Sequence, residues 1–329
     1  MTASTKSPVR IGIIGFGIMG ERLLRAALAK PADVMSVAGA WDPSPAAMSR
    51  LGEALPQVTR HASVEALIMA CDVVHVASPP VSHLAYLDQA ASARTAALCE
   101  KPLAIDIVAS QAAVAKHEAA GTRAGVNFVL ASSLAVDQLN QWRTEGVVGA
   151  PQRLAIEVDF AAWPRPWQMD ASGWLAKRAE GGFTREVISH FLFLTLRTFG
   201  ALELVSRTAT FPPGDGSETA VSAELRAGGL PVTLTGRIGG TTKPDHNLWT
   251  LTGDKGSVRL RDWSFAEQQA ADGTWREAKG AIPNEKARPL VLARQLDKVI
   301  AMTRGEPHGL ATLREALIVQ ETVEAILGL

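Results

Sequence analysis

The sequence predicts an α/β chain, with a doubly wound parallel sheet first and then an α+β region built on an open, mostly antiparallel sheet. Three observations carry this expectation. Up to about residue 125, short β-type runs alternate with helical ones, the pattern of parallel strands joined by helical crossovers. Past about residue 150, the pattern changes to β-rich segments with turn signals between them. Between the first apolar run and the first helical one lies Gly15-Phe16-Gly17-Ile18-Met19-Gly20, a spacing that gains its meaning from that context.

Taken in order, residues 9–14 form the first strand-like run and residues 20–29 the first helix. Strands follow at 36–41, 73–77, 96–99 and 124–129, and helices at 45–53, 64–70, 83–91 and 106–119. In the second half, strands are predicted at 153–160, 202–211, 220–227, 231–238, 247–251 and 257–260, with helices at 184–198, 285–303 and 312–327. Gly253-Asp254-Lys255-Gly256 turns between two of these strands, and Pro212-Pro213-Gly214-Asp215-Gly216 marks a longer exposed connection. The expected division is one domain over residues 1–125 and a second over 126–329, since the length accommodates two substantial cores.

Lys+Arg and Asp+Glu number 33 each, so no global charge draws the chain to nucleic acid or to an anionic membrane, and small molecules are the expected partners. Cys71 and Cys99 lie in or beside apolar stretches, which suggests buried thiols in a reducing cytoplasm rather than a disulfide framework. The opening residues lack an apolar signal core, and no run of about 18 uncharged apolar residues is present to span a bilayer. No cluster of His, Cys, Asp and Glu has metal-ligand spacing.

The glycine spacing is that of a dinucleotide-binding turn. Gly15 makes the tight turn, Gly17 lets backbone N–H groups reach a pyrophosphate, and Gly20 lets the helix pack closely on the strand. The helix N-terminus then faces the anion. Asp42 ends the second strand about 20 residues past the last glycine, where a ribose-binding carboxylate is expected. A carboxylate there accepts hydrogen bonds from ribose hydroxyls and repels a 2′-phosphate, so NAD is favoured. Arg50 is the nearby cation that leaves NADP possible.

In a doubly wound sheet, ligands bind outside the carboxyl ends of the strands. The glycine loop, Asp42, Ser78-Pro79-Pro80-Val81-Ser82-His83, Glu100-Lys101-Pro102 and Asn127 all fall on that edge. With these motifs, and with Gly181-Gly182 followed by Glu186 and His190, the chain resembles the glucose-fructose oxidoreductase, inositol dehydrogenase and rhizopine-catabolism (Gfo/Idh/MocA) oxidoreductases over nearly its whole length. The resemblance implies a Rossmann domain that binds a nicotinamide cofactor and a C-terminal substrate domain used for assembly into a homodimer or homotetramer. It implies cofactor contacts from Gly15, Phe16, Gly17, Ile18, Met19, Gly20, Asp42, Ser78, Pro79, His83, Glu100, Lys101 and Asn127. It also implies that Lys101 and His190 act beside the nicotinamide.

Elementary chemistry is consistent with those two roles. Interconverting an alcohol and a carbonyl requires a proton partner within hydrogen-bond reach of the oxygen. Histidine titrates in the right range, and lysine can donate to developing oxyanion charge. Glu186 lies four residues before His190, a helical spacing at which a carboxylate can orient the imidazole. The alternative is a capped helix in which His190 is a core residue beside Phe191, Leu192 and Phe193.

The chain departs from the family pattern at three points. Glu186 stands where the family has aspartate, Phe183 shortens the glycine-rich stretch, and Asn127-Phe128-Val129 lacks the arginine of Asn-x-Arg. Glu186 therefore either steers His190 or binds substrate itself. Trp163-Pro164-Arg165-Pro166-Trp167, with Trp174, Lys177 and Arg178, offers a pocket wall, although packing aromatics and a solvated basic face are an equal alternative. The candidate substrate-binding residues are thus Lys101, Trp163, Arg165, Trp167, Trp174, Glu186 and His190.

The expected function is a nicotinamide-dependent dehydrogenase or reductase acting on the hydroxyl/carbonyl carbon of a sugar, polyol or hydroxylated acid. Two other readings stand beside it. One is an enzyme that keeps its NAD and uses transient oxidation to eliminate a glycosidic group, and the other is a non-catalytic dinucleotide-sensing regulator.

Overall fold

The computed structural model describes residues 7–329. They form two compact units: one takes the chain up to Phe128 and adds Leu292–Leu317, and the other comprises Val129–Val291 with Ile318–Leu329.

The first unit alternates β1 (Val9–Ile14), α1 (Ile18–Leu28), β2 (Met35–Trp41), α2 (Pro45–Ala54), α3 (Val64–Ala70), β3 (Val73–Val76), α4 (His83–Ser92), β4 (Ala96–Cys99), α5 (Ile107–Ala119) and β5 (Ala124–Val126). The strands pair in parallel in the order β2-β1-β3-β4-β5. Parallel strands covered by crossover helices are buried on both faces, which is why β3 and β4 are buried at every position. Several helix starts are written locally: the side chains of Ser44, Ser63 and Asp106 accept from the amides of Ala47, Ala66 and Ala109. Chain order reverses between β1 and β3, so the crevice for a ligand opens beyond the carboxyl ends of these two strands.

The fifth strand ends at Val126, before the expected 129, and residues 129–132 form a short helical turn. The single division expected near residue 125 also differs from the observed trace. Leu292, Leu296, Val299, Ile300, Met302 and Leu310 join the core of Val9, Ile11, Leu23 and Leu24, and Ala311 bridges to Val126 beside β5. Periodicity shows that a helix has an apolar face but not which distant core that face enters.

The remaining elements are α6 (Leu134–Thr144), β6 (Pro151–Phe160), α7 (Ser172–Leu175), α8 (Ser189–Phe199), β7 (Leu202–Thr210), β8 (Ala220–Ala227), β9 (Leu230–Ile238), β10 (His246–Gly253), β11 (Ser257–Arg261), β12 (Phe265–Gln269), β13 (Trp275–Glu277), α9 (Asn284–Thr303) and α10 (Leu313–Leu327). The sheet order is β13-β12-β11-β10-β6-β9-β8-β7, antiparallel except for the β6/β9 pair. Strict alternation buries Val221, Ala223 and Leu225 of β8 and exposes Ser222, Glu224 and Arg226. At Gly236 a side chain would collide with Phe183 and Ile188, so the glycine lets the approach to α8 lie directly on the sheet. The strands β12 and β13 escape the sequence pattern because a charge ladder accompanies them: Arg259 and Arg261 bind Glu267, and Arg261 also reaches Glu277. Neither α6 nor this edge was expected.

Both cysteines are buried and free. Burial pushes the Cys71 thiol up to about 12 and raises Cys99 as well, so neither is a thiolate at neutral pH.

Candidate cofactor and catalytic site

The first unit builds its glycine loop against the end of β2. The Gly15 amide donates to the Trp41 carbonyl at 2.8 Å, and Gly15 has a φ of +95°, a region that disfavours side chains. A side chain at Gly20 would overlap the Gly15 carbonyl oxygen, whereas one at Gly17 would meet nothing within 4 Å. Gly17 is also the N-cap of α1 and provides no side-chain cap. The helix therefore presents uncapped N–H groups and its positive end to open space, and an anion such as a pyrophosphate completes such a terminus. This cradle fits the dinucleotide implied by the motif.

Asp42 is tied into the loop. Its Oδ2 accepts from the Phe16 amide at 2.7 Å and its Oδ1 from the Ser44 amide at 2.8 Å. Each carboxylate oxygen retains a lone pair for a ribose hydroxyl. Arg50 donates to the Phe16 carbonyl and lies 5.3 Å from the Phe16 ring centroid. Ile18 and Met19 are half-buried on the first turn of α1.

The edge after β3 and β4 is more inward than the motifs suggested. His83, expected among the cofactor contacts, is fully buried, with Nδ1 2.8 Å from the Pro102 carbonyl and Nε2 2.8 Å from the Ser78 carbonyl. It joins the two loops, and a neutral ring can donate to only one of those carbonyls. Burial lowers its proton affinity, offset in part by the two carbonyls and by Glu100. Ser78 Oγ accepts from Ser82 Oγ at 2.7 Å, and Pro79 is exposed.

Glu100 and Asn127 are buried too. Asn127 Nδ2 donates to Glu100 Oε1 at 2.6 Å, His75 Nε2 lies 2.9 Å from the same oxygen, and Gln295 Nε2 donates to Asn127 Oδ1 at 3.0 Å. Burial opposes charge on Glu100, but the hydrogen bonds from His75 and Asn127 and the charges of His75 and Lys101 outweigh it and hold the carboxyl below its usual range. Lys101, half-buried, follows this anchored carboxylate directly. Gln295 was missed as a member of this network, whereas His75 was read as structural but without its partner. The available signal was a histidine inside a fully apolar strand, because a buried polar ring needs a partner.

In the second unit, His190 occupies the first turn of α8 and is buried, its ring 5.3 Å from that of Trp263. The segment before it is a π-helical turn, Thr184–Ile188, which contains half-buried Glu186. The regular helix expected over 184–198 is thus replaced at its start, and the four-residue spacing of Glu186 and His190 no longer follows α-helical geometry. Buried Glu218 anchors this turn by accepting from the Thr184 amide at 2.7 Å, and Arg185 makes a two-pronged pair with Glu324 at 2.6 Å. Burial pushes the Glu218 carboxyl up.

The tryptophan segment comes together around Arg165. This residue is buried, with its charge 5.6 Å from the Trp163 ring centroid and 4.6 Å from that of Trp167, and it pairs with Asp245 at 2.6 Å. Trp163 Nε1 donates to the Leu175 carbonyl at 3.1 Å, and Trp174 is half-buried. Lys177 and Arg178 serve another purpose. Lys177 pairs with Asp215, while Arg178 binds the Pro212 and Gly214 carbonyls and packs on Phe211, holding the connection before β8.

Among the described residues, no group of three or more His, Cys, Asp and Glu is placed to hold a metal ion, and no helix is long and apolar enough to cross a membrane.

Residues 9–128 match the GFO_IDH_MocA family, described as an oxidoreductase family with an NAD-binding Rossmann fold. No curated protein matches the chain in sequence. Solved structures share its fold at low identity. An oxidoreductase from Thermotoga maritima superposes with a TM-score of 0.82 at 17% identity, covering 97% of this chain and 96% of that one. An oxidoreductase from Agrobacterium radiobacter, in complex with NAD+, L-tartaric acid and magnesium, gives 0.81 at 17% identity, covering 98% and 97%. The WlbA dehydrogenase from Bordetella pertussis, in complex with NADH and UDP-GlcNAcA, gives 0.80 at 20% identity, covering 98% and 96%.

Proposed function

Residues 9–128 belong to the Gfo/Idh/MocA oxidoreductase family with its NAD-binding Rossmann fold, and from that premise we propose that the protein is an NAD-dependent dehydrogenase. Its substrate is a small molecule with a hydroxyl/carbonyl carbon, in the class of sugars, polyols and hydroxylated acids. The observation that carries this reading is the uncapped N-terminus of α1 facing open space at Gly17, next to a carboxylate, Asp42, locked in place for a ribose. Similar solved structures include a dehydrogenase with NADH and UDP-GlcNAcA and an oxidoreductase with NAD+ and L-tartaric acid.

NAD, when bound, supplies the two-electron acceptor or donor for the carbon. The glycine loop and α1 would hold its pyrophosphate, and Asp42 would hold the ribose. Lys101 donates a hydrogen bond to the reacting oxygen and stabilises its developing charge. His190 takes or returns the hydroxyl proton, and Glu186 tunes the imidazole.

The test is a screen for NAD reduction over sugars, polyols and sugar acids, repeated with Lys101→Ala and His190→Ala. Each variant is expected to bind NAD normally, and His190→Ala to lose roughly 10²–10⁴-fold in turnover. Glu186→Gln should cost less. A folded, NAD-binding His190→Ala protein with normal rates would sink the assignment.

A further inference from the structure

The second unit contains a guanidinium outside the proposed cofactor and catalytic groups. Arg288, in the first half of α9, is half-buried, and among the described residues its side chain has neither a hydrogen bond nor an ion pair. Its charge lies 6.0 Å from the ring centroid of Trp167, the same ring that Arg165 approaches at 4.6 Å. Arg165 is already engaged, through Nη1 with Asp245 at 2.6 Å and through Nε with Gln168 at 2.8 Å. Burial and Arg165 both lower the proton affinity of Arg288, with Asp245 and Glu285 opposing them.

Two arginines and one neighbouring carboxylate leave one positive charge without a counter-charge in a partly desolvated place. Glu285 is exposed, so water screens its contribution. A charge taken out of water without a partner is unfavourable, and a bound anion relieves it. The cluster also connects to the surroundings of His190 by two short series of contacts. Asp245 directly precedes β10, whose Asn247 accepts from the amide of Trp263, the tryptophan that packs on His190. On the other side, Trp163 lies 6.1 Å from Phe183, the residue before the turn that leads to His190.

We infer that Arg288 and Arg165 recognise a carboxylate of the substrate, with the exposed ring of Trp167 as the shelf for the carbon skeleton beside it. The substrate is then a hydroxylated carboxylic acid. The word substrate rests on the dehydrogenase reading, whereas the anion site rests on the geometry of this unit alone. A carboxylate fits better than a phosphate dianion because one positive charge is unmatched and Asp245 repels a second negative one. The planar guanidinium fork also matches a planar carboxylate.

The experiment titrates NAD-loaded protein by calorimetry with D-glucuronate, D-gluconate, glucuronate methyl ester, D-glucose and inorganic phosphate. It is repeated with Arg288→Gln and Arg288→Lys, whose folding is checked by thermal melting. The wild type should bind at least one acid, and more tightly than the ester, glucose or phosphate. Arg288→Gln should lose roughly ten- to a hundred-fold in acid affinity, the loss expected for hydrogen bonds to a charged group. Arg288→Lys should fall between, and NAD affinity should not change. Acid binding unaffected in both variants, equal binding of acid and ester, tighter binding of phosphate, or no acid binding would each overturn the proposal. Acid binding through Arg288 without NAD turnover would sink the dehydrogenase reading and leave this site standing, while turnover of uncharged sugars alone would do the reverse.

Discussion

His75 Nε2, on β3, and Glu100 Oε1, on the residue that follows β4, lie 2.9 Å apart, with both side chains buried. Since a carboxylate only accepts, the imidazole must donate here. Glu100→Ala would strand His75 and Asn127 in the core and is expected to cost about 3–5 kcal/mol in urea unfolding. Glu100→Gln keeps an acceptor but no charge. The folded Glu100 titrates below its ordinary value, so its contribution is complete above about pH 4.3 and is lost as pH falls through the folded value. Wild type should therefore lose more stability than Glu100→Gln between neutral pH and the acid limb, and equal losses would contradict the assignment.

The two helix-side glycines should behave differently. Gly17→Ala has room for its methyl group and should melt near wild type while losing NAD affinity, because the methyl group enters the space assigned to pyrophosphate. Gly20→Ala pushes into the Gly15 carbonyl and should destabilise by about 1–3 kcal/mol, the usual range for overpacking. Thermal melts paired with NAD titrations separate the two; tight NAD binding by Gly17→Ala would count against the cradle.

Cofactor choice should turn on Asp42. Replacing it with Asn forces an amide nitrogen against either the Phe16 or the Ser44 N–H. NAD affinity should then fall roughly ten-fold or more, with NADP affected less. Arg50→Ala should weaken NADP more than NAD. Calorimetry with both cofactors decides this, and tighter NADP than NAD binding by the unmodified protein would reverse the preference.

Glu218 offers a second pH test with the opposite sign. Its carboxyl is raised by burial, so stability is complete below the ordinary carboxylate value, is lost as pH rises from there through the folded value, and is regained only as pH falls back through it. Glu218→Gln retains the acceptor for the Thr184 amide without the charge and should melt at or above wild type at pH 8. Glu218→Ala should lose about 0.5–2 kcal/mol, as a lost helix cap does. A marked loss in the Gln variant would mean that the charge itself supports the turn.

Local signals made the first sheet legible. Apolar runs, Ser and Asp caps and the glycine spacing all act within a few residues, so β1 through β4 and the loop fell close to their expected places. The cofactor motif was readable for the same reason. The support beneath it was not, because Gln295 reaches Asn127 across 168 positions and Arg288 meets Trp167 through packing alone. The π-helical turn at Thr184–Ile188 also left no pattern in sequence, since its anchors, Glu218 and Glu324, come from other elements. His83 shows the limit of a motif: its position was right, but its partners are main-chain carbonyls.

The second half of α9 and the start of α10 complete the core around β1 and β5. A gene fragment ending at residue 128 would therefore expose the apolar surface that Leu296, Val299 and Ile300 cover and should express as an insoluble product. Recombining this dinucleotide module with another partner requires transplanting two separated coding segments, or supplying the missing helix as a second polypeptide. Grafting at the apparent boundary alone would exchange half of a core.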